Sequence, residues 1–175
     1  FFIESRVEGA RGIPGDWRCT KVAGGGMMLD WGVHLIDQML MMIDSPVSEI
    51  YAQVLNVKYQ NPENDVDDNL KINMKFKNGV CAMIEVGTYN MLTLPRWYVC
   101  GDKGTMKIDD WGSGADIVYA KDVEMVWENS IIYTAAGPTR TMAPRPRETV
   151  EEKHVDIDDK KLGCWKLENK FYKGR

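Results

Sequence analysis

The most constraining feature of the sequence is a stretch of strict two-residue alternation interrupted by one Asn-Gly pair. Apolar side chains alternate with Lys and Asn over residues 70–76, and a second alternating run covers residues 80–86. Alternation of this kind places the apolar side chains of a strand on one face, and Asn78-Gly79 between the runs favours a tight turn. The sequence therefore predicts a β-hairpin over residues 69–88, one face of which another element has to cover.

A second constraint is the segment 27–43, which is long, free of Pro and rich in Met and Leu. These are good helix formers, and Asp44-Ser45-Pro46 provides a stop signal. The segment therefore predicts a helix that covers one face of the hairpin. Shorter β-rich runs predict further strands of the same sheet, at residues 1–7, 50–59, 97–100, 105–108, 117–120 and 125–127.

Together these elements predict an α+β fold rather than a repeated β-α-β unit. We expect a mixed, mainly antiparallel open sheet of five or six strands, with helices covering one face. The Gly-rich stretch 9–26 predicts a loop, and the acidic stretch 61–68 predicts a polar connection. The charged stretch 148–161, which includes His154, predicts solvated surface. We expect residues 1–175 to form a single domain.

The charge balance narrows the range of partners. Lys and Arg number 22 and Asp and Glu 26, which gives a net charge of −4. No basic excess is present to neutralise a phosphate backbone, so nucleic acid is not expected as a partner. No apolar run approaches the ~18 residues of a membrane span, so no membrane partner is expected. The four cysteines form no CxxC pair, which favours a reduced, cytoplasmic setting.

One narrow face of the predicted helix carries nearly all of its polar side chains. On a helical wheel at ~100° per residue, this face holds Asp30, His34, Asp37 and Gln38. The residues alone leave three interpretations open. The face is an ordinary polar strip on the outside of a helix, or it lines a cleft where a carboxylate one turn away makes the imidazole a better proton acceptor, or it holds a divalent metal.

Three consecutive glycines, residues 24–26, precede the helix. They predict either a flexible connection or a backbone that lets an anion or polar ligand approach the helix N-terminus. Gly32 lies opposite the polar face and predicts close packing of the helix on the sheet. Trp17 and Arg18, in the preceding loop, are equally suited to packing at the rim of a cleft and to contact with a substrate.

The run Gly-Gly-Gly-Met-Met-Leu-Asp-Trp-Gly-Val-His-Leu-Ile-Asp, residues 24–37, follows Gly-Asp-Trp-Arg at residues 15–18. This long, ungapped run resembles a signature of the second domain of the glucose-fructose oxidoreductase, inositol dehydrogenase and MocA family, usually written Gfo/Idh/MocA. Gly-Asp-Lys-Gly-Thr at residues 101–105 resembles a turn between later strands in the same family.

The resemblance implies a two-domain enzyme in which a Rossmann domain binds NAD or NADP and the second domain shapes the pocket for a sugar, polyol or related hydroxyl compound. It places the family's catalytic lysine and Gly-rich cofactor loop in the first domain, outside this chain. The sequence has no GxGxxG, so no cofactor-binding residue is expected here. We expect either a chain cut from a longer protein at both ends, without a final helix, or a degenerate relative of the family. In both cases the chain alone neither binds nicotinamide nor turns over substrate.

The resemblance also assigns roles to the polar face. His34 matches the family's histidine and would take the hydroxyl proton as hydride leaves the carbinol carbon, with Asp30 matching the aspartate that orients it. Asp37 matches an aspartate that contacts substrate, and Trp17 and Arg18 are further candidates for substrate contact. No metal is expected. The alternative is a non-catalytic binding or assembly module of the same fold.

A homo-oligomer, either a dimer or a tetramer, is expected from both the resemblance and the sheet. One helix covers only one face, so the open face has to be polar or paired. The residues leave both outcomes open, because that face combines side chains that favour contact with water and others that favour burial. The first group is Lys71, Asn73 and Lys75, and the second is Tyr51, Leu55, Val57 and Met83.

Overall fold

The computed structural model describes residues 1–57, 65–122, 131–140 and 145–156. These residues contain ten strands and one α-helix, α1, at Val33–Met42. The strands are, in chain order, β1 (Phe2–Glu8), β2 (Val47–Leu55), β3 (Asn69–Phe76), β4 (Cys81–Gly87), β5 (Trp97–Cys100), β6 (Gly104–Ile108), β7 (Ala115–Ala120), β8 (Ile131–Thr134), β9 (Gly137–Arg140) and β10 (Val150–Val155). None of the helices in this part of the chain is both long and apolar enough to cross a membrane.

Eight of the strands form one open sheet in the order β10-β7-β6-β5-β1-β4-β3-β2, and β8 and β9 form a separate pair. Strand β1 runs parallel to β4 and antiparallel to β5, whereas the other neighbours in the large sheet are antiparallel. The predicted mixed, mainly antiparallel open sheet is therefore confirmed. The expected five or six strands are too few, because all seven early strands join one sheet and β10 adds an eighth.

The predicted hairpin at residues 69–88 is present as β3 and β4. Gly79 adopts a φ of +87° in the connecting turn, a conformation that glycine tolerates without the Cβ clash of other residues. Its N–H donates to the Phe76 carbonyl oxygen at 2.9 Å. The predicted strand 50–59 begins earlier, at Val47, directly after Pro46. The predicted strand 125–127 lies outside the described residues.

The predicted helix is present but is not regular over its whole length. Residues Met28–Gly32 form a π-helical turn, and α1 follows directly. The Val33 N–H donates to the Met28 carbonyl oxygen five residues earlier, where an α-helix would use the residue four earlier. A wheel at ~100° per residue therefore does not apply across the first turn, and π-helical turns of this kind occur frequently at functional sites.

The core lies between α1 and the centre of the sheet. Leu35 and Met39 on α1 are completely buried, and they pack on the alternating apolar residues of β3 and β4, which are Leu70, Ile72, Met74, Phe76, Ala82, Ile84 and Val86. Each large side chain of this kind stabilises the fold by roughly 2 kcal/mol when buried. Gly32 is buried as predicted, and a Cβ there would lie 3.4 Å from Leu70 Cδ2. The missing side chain brings the helix close to β3.

Strand β2 at the sheet edge is not covered on either face by the described residues. Ile50 and Val54 face the helix side, because they pair with buried residues of β3, yet they are 65% and 48% exposed. Tyr51 and Leu55 face the open side and are 62% and 52% exposed. Helix α1 therefore covers β3 and β4 but not the edge strand.

The C-terminal part of the sheet contains a strand that was not expected. Residues 148–161 were expected to be solvated surface, and the described residues 151–156 are exposed, but Val150–Val155 also forms β10, paired antiparallel with β7. Five of the six side chains of β10 are exposed. The reason is its edge position, where backbone pairing on one side is enough to hold a strand whose side chains remain in water.

Candidate functional site

A cleft of about 620 Å³ lies at the edge of the sheet where the central strands β1 and β4 end, and not along one of the edge strands. Because β1 and β4 are parallel, their carboxyl ends meet at this edge, and the residues that follow them, Gly9–Gly12 and Thr88, line the cleft. Its other wall comes from the start of the helix, where Asp30 and Trp31 lie in the π-helical turn. The combination of an open, mainly apolar cleft with a few polar groups is typical of a small-molecule site.

Arg18 is the polar centre of the cleft. Its Nε donates to Asp30 Oδ2 at 2.9 Å, and its Nη1 donates to Asp16 Oδ2 at 2.7 Å. The hydrogen bond with Asp30 raises the pKa of Arg18 above its ordinary value, so the guanidinium remains charged. The structure therefore brings two of the predicted site residues, Arg18 and Asp30, into direct contact at the cleft wall.

His34 lies one helical turn beyond Asp30 and outside the group of described residues that line the cleft. Its ring meets the Trp31 indole edge-on, with the centroids 6.0 Å apart. The side chain is exposed, and no other described residue forms a hydrogen bond with it. The Asp30 carboxylate that was expected to orient the imidazole is bound by Arg18 instead.

The two other predicted substrate contacts, Asp37 and Trp17, also lie outside the set of described cleft-lining residues. Asp37 is exposed on α1, one turn after His34. Trp17 is 47% exposed, and the Arg18 guanidinium carbon lies 4.7 Å from its ring centroid. Trp17 therefore contacts the cleft through Arg18, by a cation–π interaction that holds the arginine in place.

The glycines before the helix serve the chain's own packing. A Cβ on Gly25 would collide with the Arg18 carbonyl oxygen, and Gly26 has a φ of +107°. The helix N-terminus is occupied as well, because Asp67 Oδ2 accepts from the Met28 N–H at 2.7 Å. An anion lies at this N-terminus, as one of the two interpretations allows, but it is a side chain of the chain itself, which satisfies a backbone donor that the helix leaves unpaired.

The interpretation of the polar face as a metal site finds no support in the geometry. Within residues 1–57, 65–122, 131–140 and 145–156, no three His, Cys, Asp or Glu side chains come together as a group able to hold a metal ion. One carboxylate of the predicted set, Asp30, is already paired with Arg18.

Sequence analysis did not single out Thr88, Trp31 or Trp111 as site residues. Thr88 is 7% exposed at the end of β4, and Trp31 lines the cleft. Trp111 contacts Trp31 with a centroid distance of 5.6 Å. A sequence signal for Trp111 was available, because it follows two aspartates directly after a predicted strand. Loop residues in such positions commonly carry function.

The GFO/IDH/MocA C-terminal domain matches residues 1–107. A NAD-binding protein from Listeria innocua is 44% identical to the chain, with a TM-score of 0.74 over 89% of this chain and 43% of its own. No curated protein matches the sequence.

Two more distant solved structures share the fold alone. An oxidoreductase from Bacillus cereus is 15% identical, with a TM-score of 0.59 over 90% of this chain and 44% of its own. The UDP-N-acetylglucosamine 3-dehydrogenase GnnA from Acidithiobacillus ferrooxidans is 13% identical, with a TM-score of 0.62 over 99% of this chain and 47% of its own. The chain spans less than half the length of each of the three solved structures.

Proposed function

The chain belongs to the GFO/IDH/MocA C-terminal domain family, and from this membership we propose that it is the substrate-binding and oligomerisation domain of an NAD(P)-dependent oxidoreductase. The substrate class is a sugar, polyol or related hydroxyl compound. The observation that carries the proposal is the cleft at the carboxyl ends of β1 and β4, with the Asp30–Arg18 pair in its wall. A charged pair beside an apolar surface suits a ligand that has hydroxyl groups on a carbon skeleton.

The described residues fit one part of a nicotinamide cofactor. The mainly apolar cleft, with Trp31 in its wall, suits the flat nicotinamide ring, but the sequence contains no GxGxxG with which to hold a diphosphate. Residues outside this chain therefore bind the dinucleotide in the parent protein. When bound, the nicotinamide supplies the acceptor for the hydride of the carbinol carbon.

The contribution of this chain is to hold the hydroxyl compound and to take its proton. His34 is exposed, its ring meets Trp31 of the cleft wall, and no other described residue forms a hydrogen bond with it, so it can accept a proton from the reacting hydroxyl. Asp30 lies one turn away, and its proposed part in this proton transfer falls to Oδ1, since Arg18 binds Oδ2 at 2.9 Å. Asp37 and Arg18 bind other hydroxyl groups of the same molecule by charge-assisted hydrogen bonds, and Trp17 supports Arg18.

The test uses the parent protein, which contains this chain together with the residues that bind the dinucleotide. Reduction of NAD and of NADP is measured by absorbance with a panel of sugars and polyols. We expect His34→Ala to lower kcat/KM by about 10²–10⁴-fold, the usual contribution of a general base, and added imidazole to restore part of the rate.

The matched control is His154→Ala, which removes the only other histidine, on the distant edge strand β10. We expect this variant to retain the wild-type rate. Full activity in His34→Ala would contradict the role of His34 as proton acceptor, and the absence of turnover on every hydroxyl compound would contradict the proposed substrate class.

The second candidate is a non-catalytic binding or assembly module. It is favoured by one observation, the Arg18–Asp30 ion pair, which occupies the carboxylate that would otherwise orient His34. For such a module we expect ligand binding without nicotinamide reduction in the same parent protein.

A further inference from the structure

A second, smaller cavity lies beside the cleft at the same edge of the sheet. It has a volume of about 300 Å³ and shares Val7 and Glu8 with the cleft. Strand β5 is antiparallel to β1, and β6 is antiparallel to β5. The start of β5 and the end of β6 therefore lie at the edge where β1 ends, and the segments before and after them form the new cavity.

An aromatic pair connects the two cavities. Trp31 lines the cleft, Trp111 lines the second cavity, and their ring centroids lie 5.6 Å apart at an interplanar angle of 52°. The guanidinium carbon of buried Arg96 lies 3.1 Å from the Trp111 ring centroid. This cation–π contact fixes the indole from one side, yet Trp111 remains 59% exposed.

Charged groups of both signs line the second cavity: Glu8, Asp109 and Asp110 are acidic, and Arg6 and Arg96 are basic. Asp109 pairs with Lys107 at 2.7 Å, and Asp110 Oδ1 accepts from the backbone N–H of Trp111 at 2.6 Å. A carboxylate has about four acceptor sites, so each group can still bind a hydroxyl. Arg6 is paired with Glu4 and Glu85, and Arg96 packs on Trp111, so both cations already have partners within the chain and the two aspartates remain to bind hydroxyls.

We propose that the second cavity is a second sugar subsite and that the substrate carries two ring-sized polyhydroxylated units, as a disaccharide or other glycoside does. The outer ring packs its C–H face on the electron-rich indole of Trp111, and its hydroxyls bind Asp109 and Asp110. The reacting unit occupies the cleft beside Trp31 and Asp30. This assignment rests on the proposed function of the cleft.

The test compares glycosides with the corresponding free sugars in the parent protein. We expect Trp111→Ala to raise KM about tenfold for the preferred glycoside, to leave KM for the free sugar within about twofold, and to leave kcat for both nearly unchanged. Trp111→Phe keeps an aromatic face and is expected to recover most of the affinity. Tyr133→Ala, which removes an aromatic residue that is 79% exposed on the separate β8–β9 pair, is the matched control and is expected to behave as wild type.

A binding measurement separates failure of this subsite from failure of the proposed function. Calorimetric titration of the parent protein with the glycoside panel does not depend on turnover. A loss of about tenfold in affinity in Trp111→Ala supports the subsite even if no sugar is oxidised. Equal effects on glycoside and free sugar, no effect on either, or no binding of any glycoside to the wild type would each overturn the subsite.

Discussion

Asp30 faces the cleft while its carboxylate accepts a hydrogen bond from Arg18 at 2.9 Å. The same side chain therefore contributes to the fold of the loop and to the charge of the candidate site. Arg18 is partly exposed, so solvent screens the ion pair and its contribution to stability is modest. Its main effect is positional, because a planar guanidinium with several donors fixes the direction of the carboxylate more strictly than an ammonium group would.

The side chain of Asp67 caps the N-terminus of the helix, and removing it tests how much this cap stabilises the fold. Its carboxylate accepts from the Met28 N–H, so Asp67→Ala should lower the free energy of unfolding by about 1 kcal/mol, as the loss of an N-terminal capping side chain usually does. Asp67→Asn, which keeps an acceptor oxygen, should recover most of this loss. Denaturant unfolding followed by circular dichroism measures the difference.

The matched control for Asp67 is Asp44→Ala, at an exposed aspartate just after the helix, and we expect no measurable change in the free energy of unfolding. An unchanged midpoint for Asp67→Ala would show that the Met28 N–H is satisfied equally well by water.

Sequence analysis located Asp30 and Arg18 but not the residues that act across long distances along the chain. Asp67 lies 39 residues from the N–H that it caps. Trp111 lies between β6 and β7, whereas Trp31 lies in the π-helical turn. Neither pair leaves a local pattern, because only folding brings the partners together. The glycines at 24–26 were identified as special, but the surface that approaches them belongs to the chain itself.

Among the elements, the hairpin was predicted from periodicity, and the helix and the shorter strands were predicted from composition. Alternation in β3 and β4, together with Asn78-Gly79, specifies both the strands and the turn. The π-helical turn at Met28–Gly32 was not predicted, because five residues do not distinguish a helix of 3.6 residues per turn from a wider one. Strand β10 was missed because an edge strand with exposed side chains needs no apolar alternation.

The contact between β10 and β7 is predicted to depend on pH. His154 lies directly opposite Asp116 in the register, and its Nδ1 is 2.6 Å from Asp116 Oδ1. The hydrogen bond with Asp116 raises the pKa of His154, and the same bond lowers the pKa of Asp116. Lys107 at 3.9 Å from Asp116 and Asp156 at 3.4 Å from His154 are the other charged groups of this cluster.

His154 and Asp116 lose their contributions at opposite ends of the pH range. The contribution of His154 is fully present below its unfolded pKa of about 6.5 and is lost as the pH rises through the raised folded value. The contribution of Asp116 is present above its unfolded pKa of about 3.9 and is lost as the pH falls through the lowered folded value. The contact is therefore strongest between about pH 4 and about pH 6.5.

Hydrogen exchange of the β10 amides, corrected for intrinsic exchange, measures this dependence. Opening of the strand should be more frequent at about pH 8 than at about pH 5.5. The variant Asp116→Asn should remove most of the difference, and the wild-type pH dependence in that variant would show that another group controls the strand.

On the scale of the whole molecule, the uncovered edge strand β2 predicts where a second copy binds. Tyr51 and Leu55 lie on the open face beside Lys71 and Asn73, so pairing of two open faces would bury apolar area that one copy leaves in water. For the proposed homo-oligomer, we expect the double variant Tyr51→Lys and Leu55→Lys to sediment as a monomer.

Ile50→Lys is the matched control, since Ile50 is 65% exposed on the opposite face of the same strand. This variant should sediment as the wild-type oligomer. A monomeric Ile50→Lys together with an oligomeric double variant would place the interface on the helix side of β2, and a monomeric wild type at high concentration would exclude an oligomer altogether.

The central place of β1 also sets the order in which the sheet is completed. Phe2 pairs with Cys81 on one side and with Cys100 on the other, whereas β2 to β4 and β5 to β7 are each joined by consecutive antiparallel pairs. Closing a long loop costs more entropy than closing a hairpin, and contacts distant in sequence form slowly. Residues 2–8 are made before either of their neighbours as the chain leaves the ribosome, and we therefore expect β1, the first strand in sequence, to be among the last to pair.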